Sequence, residues 1–233
     1  MIVLMSAFLL LSAFSCGGGN KANSTSEQSE ETAVNVPQFD ADSAYLYVKN
    51  QVDFGPRVPN TKEHVACGNY LAGQLEAFGA QVTNQYADLI AYDGTLLKAR
   101  NIIGSYKPES KKRIALFAHW DTRPWADNDP DEKNHKTPIL GANDGASGVG
   151  ALLEIARLVN QQQPELGIDI ILLDAEDYGA PQFYTGQHKE EFWCLGSQYW
   201  ARNPHVQGYN ARFGILLDMV GGEGSVFMKE GYS

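Results

Sequence analysis

Six side chains able to bind a cation or carry a proton stand at the ends of apolar runs. RIALFAHWD ends in His119 and Asp121, IDIILLDAED in Asp174, Glu176 and Asp177, and GILLDMVGG carries Asp218. A fourth stretch, GANDGASGVG at 141–150, sets Asp144 among glycines just before an amphipathic run. Singly, each acid is explained as a helix cap or a turn residue. As a set they ask for more. Ligands bind at the carboxyl ends of strands in open α/β sheets, and carboxylates gathered in one crevice raise one another's pKa unless a cation neutralises them. A divalent ion resolves that repulsion. Histidine and carboxylates without thiolates suit zinc in a catalytic site with an open coordination position. Asp144 is then expected to project into the crevice, where the glycines let the backbone turn sharply, rather than to serve only as a helix cap.

The elements that must position these groups are legible from periodicity. RIALFAH, IDIILLD and GILLDMVGG are apolar without a helical period and predict three buried strands. GVGALLEIARLV puts Val149, Leu152, Leu153, Ala156 and Val159 on one helix face. Upstream, DADSAYLYVKNQVDFG predicts a helix with Asp40 or Asp42 near its N-cap and Gly55 past its end. PRVPNT is a turn, and KEHVACGNYLAGQLEAFG predicts a second helix with Leu71, Leu75 and Phe78 in register, closing on Gly79. QVTNQYADLIAYDGTLLKARNIIGSY alternates around Asp93-Gly94, a hairpin signal. Strands alternating with helices predict an α/β fold, a three-layer α/β/α sandwich around a mixed, mostly parallel sheet. VFMKEGYS starts a further element without a cap, so the sheet is expected to be incomplete at the C-terminus.

With 233 residues, 43% of them hydrophobic, the chain can bury a full core. A net charge of -10 argues against nucleic acid as a partner. The one basic cluster, Lys111-Lys112-Arg113, reads as a solvated strand edge. At the N-terminus, MIVLMSAFLLLSAFSC is too short for a comfortable membrane span and suits an export signal. Its end resembles a loose bacterial lipobox with Cys16 as the lipidated residue, although no Lys or Arg precedes Lys21. The polar tether GGGNKANSTSEQSEET follows. The expected organisation is a signal and lipobox segment at 1–16, a tether at 17–37 and a catalytic domain at 38–233, giving an exported lipoprotein, periplasmic or facing the outer membrane. Contact with a membrane is expected only through the lipid anchor. Cys67 and Cys194 fit no zinc spacing and are either a disulfide or two free thiols. His64, His135, His188 and His205 read as surface residues.

HWD, GANDGASGVGALLEIAR, LLDAED with a later LGSQYWA, and LLDMVG occur in the order seen in the zinc aminopeptidase/glutaminyl cyclase family. The resemblance runs from about Asp40 to the last residue. Ala175-Glu176-Asp177, where generic members are closer to Gly-Glu-Glu, and the insert TRPWADNDPDEKNHKTPIL look like the bacterial glutaminyl cyclase branch. The resemblance implies that Asp144 and Asp177 bind zinc and that Glu176 is the general acid/base. His119 and Asp218 match positions that hold a second zinc in aminopeptidases and are hydrogen-bonded near a single zinc in cyclases. Asp121 would orient His119, and Asp218 would assist catalysis by holding the shuttled proton or the substrate amine. The family's last ligand is a histidine in a segment beyond Ser233. Trp120, Trp125 and Trp193 are candidate pocket walls. The implied activity is conversion of N-terminal glutamine of peptides to pyroglutamate with one zinc. The alternatives are a dizinc aminopeptidase and, less favoured, a metal-dead binding module.

Overall fold

The computed structural model of the chain describes residues 35–227. The signal and lipobox segment with Cys16, and the tether as far as residue 34, lie outside the described residues. α1 (Ala41–Asp53) is capped by Asp40, whose carboxylate accepts from the backbone N–H groups of Asp42 and Ser43. α2 (Lys62–Ala77) is capped by Thr61 and leaves through Gly79 at φ +78. β1 (Gln81–Ile90) and β2 (Leu96–Tyr106) form the expected hairpin, with Gly94 at φ +84 in its turn. β3 (Arg113–His119), α3 (Ala146–Gln161), β4 (Gly167–Leu173), α4 (Leu195–Arg202) and β5 (Gly214–Leu216) follow.

The strands lie in the order β1-β2-β4-β3-β5. β3 pairs in parallel with both β4 and β5, while β2 is antiparallel to β1 and to β4. Only β2 therefore runs against the rest, and the sheet is mixed as expected. Alternation along the strands sorts side chains into two layers. Ile102, Leu116, Ala118, Ile170 and Leu172 meet α2 and α3 on one face, with the predicted α3 stripe from Val149 to Val159 buried against them. Ile103, Ala115, Ile171 and Leu173 face the other way, toward Phe117 and Trp200 of β3 and α4. Among the described residues, no helix is long and apolar enough to cross a membrane.

Three expectations are corrected. β5 forms, but it is not buried: Ile215 is 45% and Leu216 62% exposed. Among the described residues it is an edge strand, bonded to β3 on one side, and its apolar composition alone did not tell which neighbours enclose it. Arg113 is not solvated. Its Nε and Nη2 donate to the fully buried Asp169 at 2.5 and 2.7 Å, and Nη1 donates to the carbonyls of Pro108 and Ser110. His64 and His205 are not surface residues either. His64 stacks on Trp120 with ring centroids 4.3 Å apart, and His205 packs against Trp200 and Tyr209. His64 is hidden by Trp120, far along the chain, and His205 by the turn of its own loop between Trp200 and Tyr209. Cys67 and Cys194 are free thiols.

Asp169 also accepts from Ser105 Oγ and Tyr209 Oη, so it anchors the lower end of the sheet. Asp169→Ala leaves the Arg113 charge buried without its partner and is expected to cost about 3–5 kcal/mol. Urea unfolding measures it, and a loss below about 1 kcal/mol would mean that water already solvates the pair.

Candidate functional site

Two loops leave the ends of β3 and β4 side by side, and a third enters α3 beside them. In the third, Gly145 is the N-cap of α3 at φ +91, and no side chain caps the helix. Asp144 is therefore free of the capping role, and its carboxylate points at His119, with Oδ1 2.9 Å from Nε2. A Cβ on Gly145 would lie 2.5 Å from the carbonyl oxygen of Asp121, so only glycine lets the loops come this close. The buried Arg57 staples the same loops by donating to the carbonyls of Trp120, Leu140 and Gly141.

Asp121 ties the β3 loop to the β4 loop. Its two carboxylate oxygens accept from the backbone N–H groups of Glu176 (3.0 Å) and Asp177 (3.1 Å), while Oδ1 lies 3.5 Å from His119 Nδ1. The segment after β5 docks by the same means. Val220 N–H donates to Ser147 Oγ and Gly221 N–H to Asn143 Oδ1, which sets Asp218 Oδ1 3.5 Å from His119 Nε2. Glu176 Oε2 lies 3.8 Å from His119 Nδ1.

The expected residues thus converge with one exception. Asp174 turns inward, fully buried, and accepts from the N–H groups of Arg100 and Ala175 while His64 Nε2 lies 2.9 Å away. It supports the Glu176 loop from below and is not part of the crevice. Of the tryptophans, Trp120 is core, with Nε1 donating to the Arg100 carbonyl. Trp193 lines a cavity of about 330 Å³ together with Arg123, Asp144 and Asp177. Trp125 is half-buried and packs edge-on against Tyr92 and Tyr178. Arg123 went unnoticed in the sequence. Its guanidinium grips Asp127 with two hydrogen bonds, stacks over Trp193, and sits 3.8 Å from Asp177 Oδ1. An arginine in a loop of mixed polarity carries no signal that it will be buried.

The charges do not balance without help. Burial, then the charges of Asp121, Asp144 and Glu176, push Asp177 up to about 8. Burial also raises Glu176. Burial alone would lower His119, but Asp121, Asp144 and Asp218 around it raise it well above its ordinary value. Burial opposes ionisation of Asp121 as well, yet His119 and the two loop N–H groups hold it below the usual carboxylate range. Both ring nitrogens of His119 and Oδ2 of Asp177 are buried without an aligned hydrogen bond among the described residues. Ligand atoms of His119, Asp144 and Asp218 lie within 4.8 Å of one another. Unpaired nitrogen and oxygen donors in a carboxylate-rich crevice fit a hard-to-borderline dication such as zinc. Asp144 belongs to the ligand set with His119 and Asp218 and also lines the cavity that Asp177 faces.

A sequence profile of peptidase family M28 matches residues 101–232. The chain belongs to this family. The match takes in β3, α3, β4 and β5 and every residue of the cluster. The M28 chain is 94% identical to a glutaminyl cyclase of Bacteroides thetaiotaomicron whose crystal structure holds N-acetylhistamine, over 85% of this chain and 68% of that one, with a TM-score of 0.84. It is 64% identical to a Zn-dependent exopeptidase of Parabacteroides distasonis, over 84% of this chain and 66% of that one, with a TM-score of 0.82. A glutaminyl-peptide cyclotransferase of Drosophila melanogaster is 24% identical over 78% of this chain and 50% of its own length. The chain spans half or less of the length of the curated relatives it matches.

The protonation pattern of the metal-free M28 chain has a measurable sign. The folded pKa of Asp177, about 8, exceeds its ordinary 3.8, so the folded state keeps a proton that the unfolded chain has released, and stability falls as pH rises between those values. His119 acts in the same direction: its contribution is full below 6.5 and is lost as pH rises through its higher folded value. The thermal midpoint in chelator is expected to drop between pH 6.5 and 8, with Asp177→Asn flattening the slope. A flat or rising midpoint in scanning calorimetry contradicts this assignment of protons.

Proposed function

We propose that the protein is a zinc-dependent glutaminyl-peptide cyclotransferase, closing the N-terminal glutamine of peptides to pyroglutamate with release of ammonia. The choice of reaction rests on the run of solved glutaminyl cyclases among the chain's neighbours, at 94%, 59% and 54% identity, set against a leucine aminopeptidase precursor that also stands at 94%. The site supplies a proton-transfer group, a carboxylate for the substrate amine and two of the zinc ligands that chemistry needs. Asp144 and Asp177 are the zinc ligands in this reading, and His119 and Asp218 are held beside them. When bound, zinc supplies Lewis-acid polarisation of the substrate's γ-carbonyl.

Glu176 takes a proton from the substrate's neutral α-amine as the nitrogen bonds to the γ-carboxamide carbon. It returns that proton to the amide nitrogen as the carbon–nitrogen bond breaks and ammonia leaves. One carboxylate serves both transfers, which needs a pKa nearer neutrality than an exposed glutamate has. Burial of Glu176 moves it in that direction. Asp218, held below the usual carboxylate range by His119, stays ionised to receive the α-amine.

A dizinc aminopeptidase is the second reading, favoured by the convergence of His119, Asp144 and Asp218 as a ligand set and by the 94% identity to a leucine aminopeptidase precursor of Bacteroides thetaiotaomicron. In it, Glu176 deprotonates the water that attacks the scissile peptide. We also infer export with a lipid anchor on Cys16, a reading that rests on the apolar segment and the polar tether behind it.

Incubation of the complete protein with a glutamine-initiated dipeptide separates the readings. Ammonia with an amine-blocked product supports the cyclase, whereas free glutamine, or two tightly held zinc ions per chain, overturns it. Glu176→Gln is expected to lower turnover by about 10²–10⁴-fold while zinc content stays unchanged. Asp144→Ala is expected to lose the metal, as read by zinc analysis after dialysis. Retention of zinc by that variant would remove Asp144 from the ligand set.

A further inference from the structure

The Glu176 loop is clamped by the start of α4. Cys194 N–H donates to the Glu176 carbonyl (2.9 Å), Leu195 N–H to that of Ala175 (2.9 Å) and Gly196 N–H to that of Asp174 (3.0 Å). A Cβ on Gly196 would collide with the Asp174 carbonyl oxygen, so this approach is set by glycine. Cys194 itself sits at φ +53, a left-handed conformation that costs a non-glycine residue free energy. That turn aims its thiol back at the loop, where Sγ–H donates to Glu176 Oε1 at 3.2 Å.

The same groups share a cavity. Cys194, Glu176, His119 and Asp218 line a space of about 300 Å³ whose other walls include Phe117 and Trp200. His119, only 4% exposed, lines that cavity too, with both ring nitrogens buried and without an aligned hydrogen bond among the described residues. Burial and the facing Glu176 carboxylate push the Cys194 thiol up to about 12, so at neutral pH it remains an S–H donor.

We propose that Cys194 is a positioning residue for Glu176: its S–H holds Oε1 and fixes the carboxylate plane, leaving Oε2 to exchange the proton. The inference rests on the reading of Glu176 as the proton-transfer group. Cys194→Ala removes the donor. Cys194→Gly removes it too and relieves the left-handed backbone, which guards against a failure to fold. Cys194→Ser keeps a donor of similar size.

Turnover of a glutamine-initiated dipeptide by the zinc-loaded complete protein, followed as ammonia or free glutamine, is the measurement. Cys194→Ala and Cys194→Gly are expected to lose about tenfold in kcat with KM within about twofold and zinc content unchanged, and Cys194→Ser to recover to within about twofold of native kcat. Native kcat in both donor-free variants overturns the proposal. So does a serine variant as impaired as alanine, or a fall in zinc content with unchanged kcat per bound zinc, since each assigns Cys194 to packing. Glu176→Gln, run alongside, separates the failures: if it stays active, the proton-transfer reading falls first.

Discussion

Repulsion among carboxylates governs the site. Asp121, Asp144, Glu176 and Asp218 surround a single buried imidazole with Asp177 beside them, and of the two guanidiniums nearby, Arg57 is committed to backbone carbonyls and Arg123 already holds Asp127. At a separation of ~4 Å and an effective dielectric of ~20, two like charges cost about 4 kcal/mol. That is comparable to much of a domain's net stability. The folded chain meets this cost in its metal-free state by keeping protons, on His119 and on Asp177. A dication does the same work without protons and engages the buried nitrogen and oxygen atoms that no hydrogen bond satisfies. Metal binding and proton release are thus two faces of one equilibrium.

Such crowding persists only if the backbone forbids the acids to move apart. The hydrogen bonds that prevent it are mostly between side chains and backbone of different loops. Asp121 accepts from two successive N–H groups of the β4 loop, Asn143 and Ser147 hold the segment that carries Asp218, and Arg57 holds three carbonyls at once. Ala175, at φ +51, makes the turn that sends Asp174 inward and Glu176 outward. Each of these costs conformational freedom or strain, which the packed sheet and α3 beneath them offset.

Much of this was legible in the sequence because period and residue type coincide. The α3 stripe, the Asp93-Gly94 hairpin and the acids at the ends of β3 and β4 are local patterns, and the structure places them as read. Asp174 shows where local reading stops. It has the same strand-end setting as Glu176, and its partners His64, 110 positions away, and the Arg100 N–H, 74 positions away, hold it against the core. Arg113 with Asp169, Arg123 with Asp127 and Cys194 with Glu176 are likewise pairs whose meaning lies in the contact. The exposure of β5 has the same origin: composition states that a strand prefers burial, not what lies against it.

The two catalytic readings differ less in residues than in occupancy. Asp144 stands between His119 and the cavity that Asp177 lines, so a cation held on one side of it withdraws negative charge from the other and weakens the hold there on a second. With no cation held by His119 and Asp218, this half-site keeps its proton on the imidazole, and Glu176, 3.8 Å away, has a cationic flank suited to exchanging one with a substrate amine. With that half-site filled, the proton is displaced, and the cluster is better suited to activating water. The balance therefore turns on how strongly the imidazole at 4% exposure retains its proton between Asp144 and Asp218. In either reading it is one buried histidine, set among acids by three loops, whose proton a cation beside it would have to displace.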